Sequence, residues 1–156
     1  MALVIPPVNV EHDDYEGATL RDVYNTLPIE AGLCEWIPGF SYDQITARGF
    51  PERLIVTVRI SIRMPRWTGR DHARAAEQAE WDRFYGALRD HERGHESRAR
   101  TGAQAMHTRM LRTLAANLQT VMDEENDRIK AASAAYDTAT NHGRQPPPGT
   151  IISIPP

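Results

Sequence analysis

The sequence predicts an α+β protein in which an N-terminal antiparallel β-sheet packs on a long C-terminal α-helical hairpin. Two observations carry this expectation. Across residues 54–64, Val56, Val58, Ile60, Ile62 and Met64 alternate with Thr57, Arg59, Ser61 and Arg63, and a period of two gives a strand one buried and one wet face. From residue 71 to about residue 140 the composition turns to Ala, Arg, Glu, Gln and Leu, with no proline between Pro65 and Pro146. Good helix formers without a breaker permit very long helices.

The elements follow in order. Residues 8–10 form a short apolar start, and residues 19–26 suit a second strand or a short helix. Pro28, Gly32, Pro38 and Gly39 punctuate a loop region, and residues 40–46 suit another strand. The alternating strand ends at Pro65, which has no N–H for a ladder. Within the helical half, Trp81, Phe84, Leu88, His91 and His95 are spaced 3, 4, 3 and 4 residues apart, one continuous helical face. The best break in this half falls at residues 117–123, where Thr120 and Asp123 fit a capping box and Asp123, Glu124 and Glu125 favour a helix N-terminus. Thr101-Gly102 is the alternative break. Residues 1–143 read as one domain. Residues 144–156 read as a proline-rich tail, a spacer or a strap, with Ile151, Ile152 and Ile154 partly buried.

Bulk properties exclude several classes. A length of 156 residues suits one domain with a real core. A net charge of −3 gives no reason to expect nucleic acid, and no run approaches the ~20 apolar residues of a membrane span. The charge is uneven, with thirteen arginines from Arg53 to Arg112 interleaved with acids, a pattern usual for a solvated, ion-paired helical face. Cys34 is the only cysteine, so no intrachain disulfide forms, and it reads as a small buried hydrophobe. The N-terminal segment Met-Ala-Leu-Val-Ile-Pro-Pro lacks a basic n-region and a full apolar h-region. The chain therefore reads as cytosolic, exported by another route, or a mature form with a new start methionine.

One stretch names a chemistry. His91-Glu92-Arg93-Gly94-His95 fits His-Glu-x-x-His, which on a helix places two imidazoles one turn apart on one face, able to hold Zn²⁺. Glu92 is rotated by roughly 100° from His91, where a carboxylate can act as general base on metal-activated water. Gly94 costs the helix roughly 1 kcal/mol relative to Ala, which close approach of another backbone would offset. A three-ligand catalytic site needs one more donor. With a hairpin apex near Leu118 or Gln119, position 142 falls beside position 95, making His142 the candidate third ligand with Gly143 as helix C-cap. With the break at Gly102 instead, Glu124 or Glu125 could approach, although a solvated acidic turn suits them better. Asp137 is a candidate to orient a ligand imidazole. Tyr136 is a candidate to steady an oxyanion, though its spacing from Ile129 and Ala132 also suits the core. His12, His72 and His107 read as surface or packing residues.

Taken together, Met64-Pro65-Arg66-Trp67 closing a strand, Trp81 and Phe84 ahead of the histidine motif, and Tyr136-Asp137-Thr138-Ala139-Thr140-Asn141-His142-Gly143 resemble a bacterial family of zincin-like proteins. That family is predicted to be secreted zinc-dependent proteases and has long been catalogued as a domain of unknown function. The resemblance spans residues 42–143. It implies a zincin-like fold, a secreted or periplasmic location, His91 and His95 as ligands, Glu92 as base, and His142 ahead of Asp137 as third ligand. The expected activity is zinc-dependent hydrolysis of a peptide or protein substrate. The alternatives are a non-catalytic, zinc-stabilised binding or effector protein of the same fold, and a metal-free helical adaptor.

Overall fold

Alternation in the 54–64 segment has the consequence its period requires: Val56, Val58, Ile60, Ile62 and Met64 are each at most 5% exposed. The computed structural model describes residues 1–156. The chain runs through strands β1 (Ala2–Val4) and β2 (Asn9–Tyr15), helix α1 (Leu20–Tyr24), strands β3 (Leu33–Ser41) and β4 (Ile55–Trp67), then helices α2 (Ala75–Met110) and α3 (Leu118–Thr140). The α+β class holds. No helix is long and apolar enough to cross a membrane.

The sheet is mixed, not antiparallel. β3 runs antiparallel to β4, from Leu33 opposite Arg63 to Ser41 opposite Ile55. β1 and β2 run parallel to β4, with Ala2 opposite Ile55 and Asn9 to Tyr15 opposite Ser61 to Trp67. Because β3 fills one edge of β4, β1 and β2 share the other end to end, separated by Pro6-Pro7. A parallel pair needs a crossover of a dozen or more residues, and the excursion through α1 and β3 supplies it. Alternation told which face of β4 is buried, but not which way its neighbours run.

Prolines mark the other departures. Pro38 and Gly39 lie inside β3 instead of in a loop, tolerated because β3 is an edge strand. β4 continues past Pro65 to Trp67; β3 pairs no further than Arg63, so β4 has an unpartnered edge there. Residues 19–26 hold a helix, begun by a Thr19–Asp22 capping box.

The inner face of the sheet packs on α2, whose stripe is buried as its spacing predicts: Trp81, Phe84, Leu88, His91 and His95 are all at most 7% exposed. Trp67 meets Trp81 edge-on at 5.7 Å between ring centroids, and Trp81 meets Phe84 at 5.4 Å. Glu77 is buried and accepts a hydrogen bond from the Leu20 N–H at 3.1 Å, tying α1 to α2.

The hairpin turns earlier than the capping pattern indicates. α2 ends at Met110 and a short 3-10 turn, Ala115–Asn117, leads into α3. Leu118 and Val121 are 0% and 6% exposed; burying them favours the earlier start, which leaves Thr120 and Asp123 inside the helix. At Gly102 an added Cβ would lie 2.1 Å from Ile129 Cγ1, so α3 packs where α2 has no side chain. Beyond α3 the tail is a strap along α2. Arg83 donates to the Gly149 carbonyl at 2.7 Å and to that of Ile151, and Glu80 accepts from the Ser153 N–H at 2.6 Å.

Gly102→Ala would gain about 1 kcal/mol of helix propensity but force Ile129 aside, and overpacking a tight core costs typically about 1–3 kcal/mol. We expect a net loss of about 1 kcal/mol or more in urea unfolding; a more stable variant would contradict the close helix crossing.

Candidate metal centre

His91, Glu92 and His95 sit at mid-length on α2, on the face turned to β3 and α3. Their carriers are helix formers flanked by apolar residues of the buried stripe, so the backbone brings the polar groups inside with the core. The two imidazole Nε2 atoms are 3.2 Å apart, and both approach one carboxylate oxygen. Asp137 Oδ1 lies 3.1 Å from His91 Nε2 and 3.0 Å from His95 Nε2. These three donor atoms form a nearly equilateral triangle, and His91, His95 and Asp137 are the group that could hold a metal ion. Ligand atoms around a tetrahedral ion at about 2.0–2.1 Å stand about 3.3 Å apart, so the triangle is close to the size such an ion needs.

The third donor follows from the turn. With the hairpin centred near Leu114, residues equidistant from it face each other, which sets Ser133 opposite His95 and Asp137 opposite His91. Ser133 Oγ is 2.6 Å from His95 Nδ1, fixing that ring from its far side. An apex near Leu118 would have brought His142 to the same place. His142 instead lies beyond the helix end, half-exposed, with Nδ1 3.0 Å from Glu30 Oε1 and 4.0 Å from Asp137 Oδ1. It does not join the triangle. α3 ends at Thr140, and Asn141, His142 and Gly143 all take positive φ (48°, 54° and 76°), so the C-cap is Asn141, not Gly143. Glu124 and Glu125 are also elsewhere, paired with Arg109 near the turn; Glu125 is buried instead of solvated.

Tyr136 does not serve the cleft directly. Its ring stacks on His91 (5.0 Å, 17°) and stands edge-on to His95 (5.1 Å, 82°), with the Arg98 guanidinium 3.7 Å above its centroid. Its hydroxyl rests against α2 at Gly94, where an added Cβ would lie 2.3 Å away. Gly94 thus admits a phenol, not another backbone, and Tyr136 braces the imidazoles instead of reaching an oxyanion.

The centre opens into a cleft of about 740 Å³, lined by the two histidines, Glu92, Asp137, Ser133 and His142, by the loop after α1, and by tail residues 150–152. Glu92 is 4% exposed. Burial, then the charge of Asp137, push its carboxyl up to about 7, while a hydrogen bond from the Cys34 main chain opposes this. Gly32 makes room for it, since a Cβ there would lie 2.6 Å from Glu92 Oε1. Burial likewise lowers both His91 and His95, His91 further by the charge of His95, against the pull of Asp137. Both rings therefore favour the neutral form, the one that ligates metals. Cys34 also lines the cleft; burial and the nearby Glu92 and Glu96 push its thiol up to about 12.

Residues 10–143 match the family described as bacterial protein of unknown function (DUF922). The chain belongs to that family. The DUF922 match runs from the second residue of β2 through α3, including both histidine-bearing motifs, and leaves the tail outside. No curated protein and no solved structure matches the chain.

Sequence reasoning missed Ser133, Glu30, Gly32 and the tail's place in the cleft. Ser133 was findable only through the position of the hairpin turn, whereas Asp137 was already a candidate. No periodicity marks Glu30 or Gly32.

Glu92 supplies a pH signature in metal-free protein. Its folded pKa is raised above the unfolded value, so its contribution is whole below about pH 4.5 and is lost as pH rises through about 7. The stability difference between Glu92→Gln and the parent should therefore shift in favour of the variant between about pH 5 and 8, by up to about 3 kcal/mol. Urea unfolding across that range in the presence of chelator checks it; a flat difference would show a solvated carboxylate.

Proposed function

We propose that this protein is a zinc-dependent peptide hydrolase whose metal is held by His91, His95 and Asp137. The observation that supports it is the triangle of two imidazole nitrogens and one carboxylate oxygen, 3.0–3.2 Å on a side, beside a buried carboxyl in an open cleft. Two imidazoles and a carboxylate suit a borderline cation such as Zn²⁺ and leave a fourth position for solvent. A zinc ion bound there supplies Lewis acidity and brings the pKa of water towards about 7.

The protein's own groups do the rest. Glu92, set among apolar neighbours so that its affinity for a proton lies near neutrality, takes a proton from water and returns it to the leaving amine. Ser133 holds the His95 ring in orientation. Tyr136, clamped between His91 and Arg98, keeps both rings from turning away. The non-catalytic alternative, a zinc-stabilised binding protein, shares every feature except the demand on Glu92.

The tests separate the two. We expect one zinc per chain by metal analysis, lost in Asp137→Ala and kept in His142→Ala and Glu92→Gln. Ser133→Ala should weaken zinc binding about 10–100-fold. Glu92→Gln should lower hydrolysis of an unfolded protein substrate by about 10²–10⁴-fold. Zinc retention by Asp137→Ala would reject the ligand set, and equal hydrolysis by Glu92→Gln would reject the mechanism.

A further inference from the structure

The tail lies outside the family match yet forms part of the cleft. Thr150, Ile151 and Ile152 line it together with Leu27, Phe84, Leu88 and the two imidazoles. This wall is fixed at both ends. At one end the Thr150 N–H donates to the Gly143 carbonyl at 3.0 Å and its hydroxyl to the His142 carbonyl at 3.1 Å. Gly149 permits the close turn, since its φ is +46° and a Cβ there would lie 2.3 Å from the Gly143 oxygen. At the other end the Glu80–Arg83 pair on α2 grips the Gly149 and Ile151 carbonyls and the Ser153 N–H. Arg83 immediately precedes Phe84, so the same stretch of α2 carries the clamp and the apolar floor.

Distance along α2 sets what this floor can meet. Leu88 lies three residues before His91, about 4.5 Å of helix, and Phe84 seven residues, about 10 Å. Side chains on one face of an extended peptide are about 7 Å apart. An extended chain with a bond at the imidazoles would bring a flanking side chain over Leu88 and Phe84.

We propose that tail residues 150–152 are the specificity wall of the cleft, forming with Leu27, Phe84 and Leu88 a subsite for one bulky apolar side chain of a peptide. This rests on the hydrolytic reading for the position of the scissile bond, whereas the subsite itself is a property of the apolar lining. Selectivity is therefore set partly by residues outside the family match.

Two measurements on the full chain test it. In the first, zinc-loaded protein is given paired peptides differing only in Leu or Gly beside the cleaved bond. The parent should favour Leu at least tenfold in kcat/KM. Ile152→Trp, which fills the subsite, and Arg83→Met, which releases the strap, should each reduce that ratio several-fold. An unchanged ratio in both variants overturns the proposal. In the second, metal-free parent protein is titrated with N-acetyl-leucine N-methylamide at millimolar concentration and followed by NMR. The Leu88 and Ile152 methyl signals should shift with this probe and not with its glycine analogue; equal responses overturn the subsite. Selective probe binding without any hydrolysis would reject the hydrolase reading and keep the subsite. Hydrolysis with a flat Leu-to-Gly ratio would do the reverse.

Discussion

Everything at the centre depends on how closely α3 can approach α2. Two glycines on α2 set that approach. Gly102 accepts Ile129, and Gly94 accepts the Tyr136 hydroxyl. Eight residues apart, they lie little more than two turns from each other and about 80° apart around the helix. Between those two fixed points the register of the hairpin has no freedom, and Ser133 and Asp137 must face His95 and His91. Were either contact relaxed, the carboxylate oxygen would leave its place within 3.0–3.1 Å of both imidazoles.

This packing also explains how so many polar groups survive inside the protein. Glu77, His91, Glu92, His95 and Glu125 are all buried, and an unpaired buried charge is costly. Most have an identifiable answer, although His91 Nδ1 has no partner. Glu77 accepts main-chain and Arg74 hydrogen bonds, and Glu125 is held by Arg109 and Arg128. The histidines share Asp137. Glu92 has no cationic partner, and burial followed by the charge of Asp137 makes it take up a proton more readily. Glu77 and Glu125 are paired with arginine, whereas Glu92 in the cleft is left to titrate.

How much of this was legible in the sequence depends on the range of the signal. Local periodicity gave the buried face of β4 and the stripe from Trp81 to His95 in full, because burial acts residue by residue along one element. Partner direction was not legible: β1 and β2 pair in parallel with a strand some fifty residues away, and nothing in their own residues encodes that. The turn of the hairpin was misplaced by about one helical turn, because Thr120 and Asp123 suggested a cap while burial of Leu118 and Val121 decided otherwise. That single shift exchanged His142 for Asp137 at the centre.

Cys34 offers a last consequence. A sulfur anion in this cleft would compete for copper(I) and other thiophilic ions and would be an early target of peroxide. Its burial among Glu92, Glu96 and Glu35 keeps the sulfur protonated at any physiological pH. The cleft therefore keeps its one sulfur as a neutral thiol, beside the nitrogen and oxygen atoms of His91, His95 and Asp137.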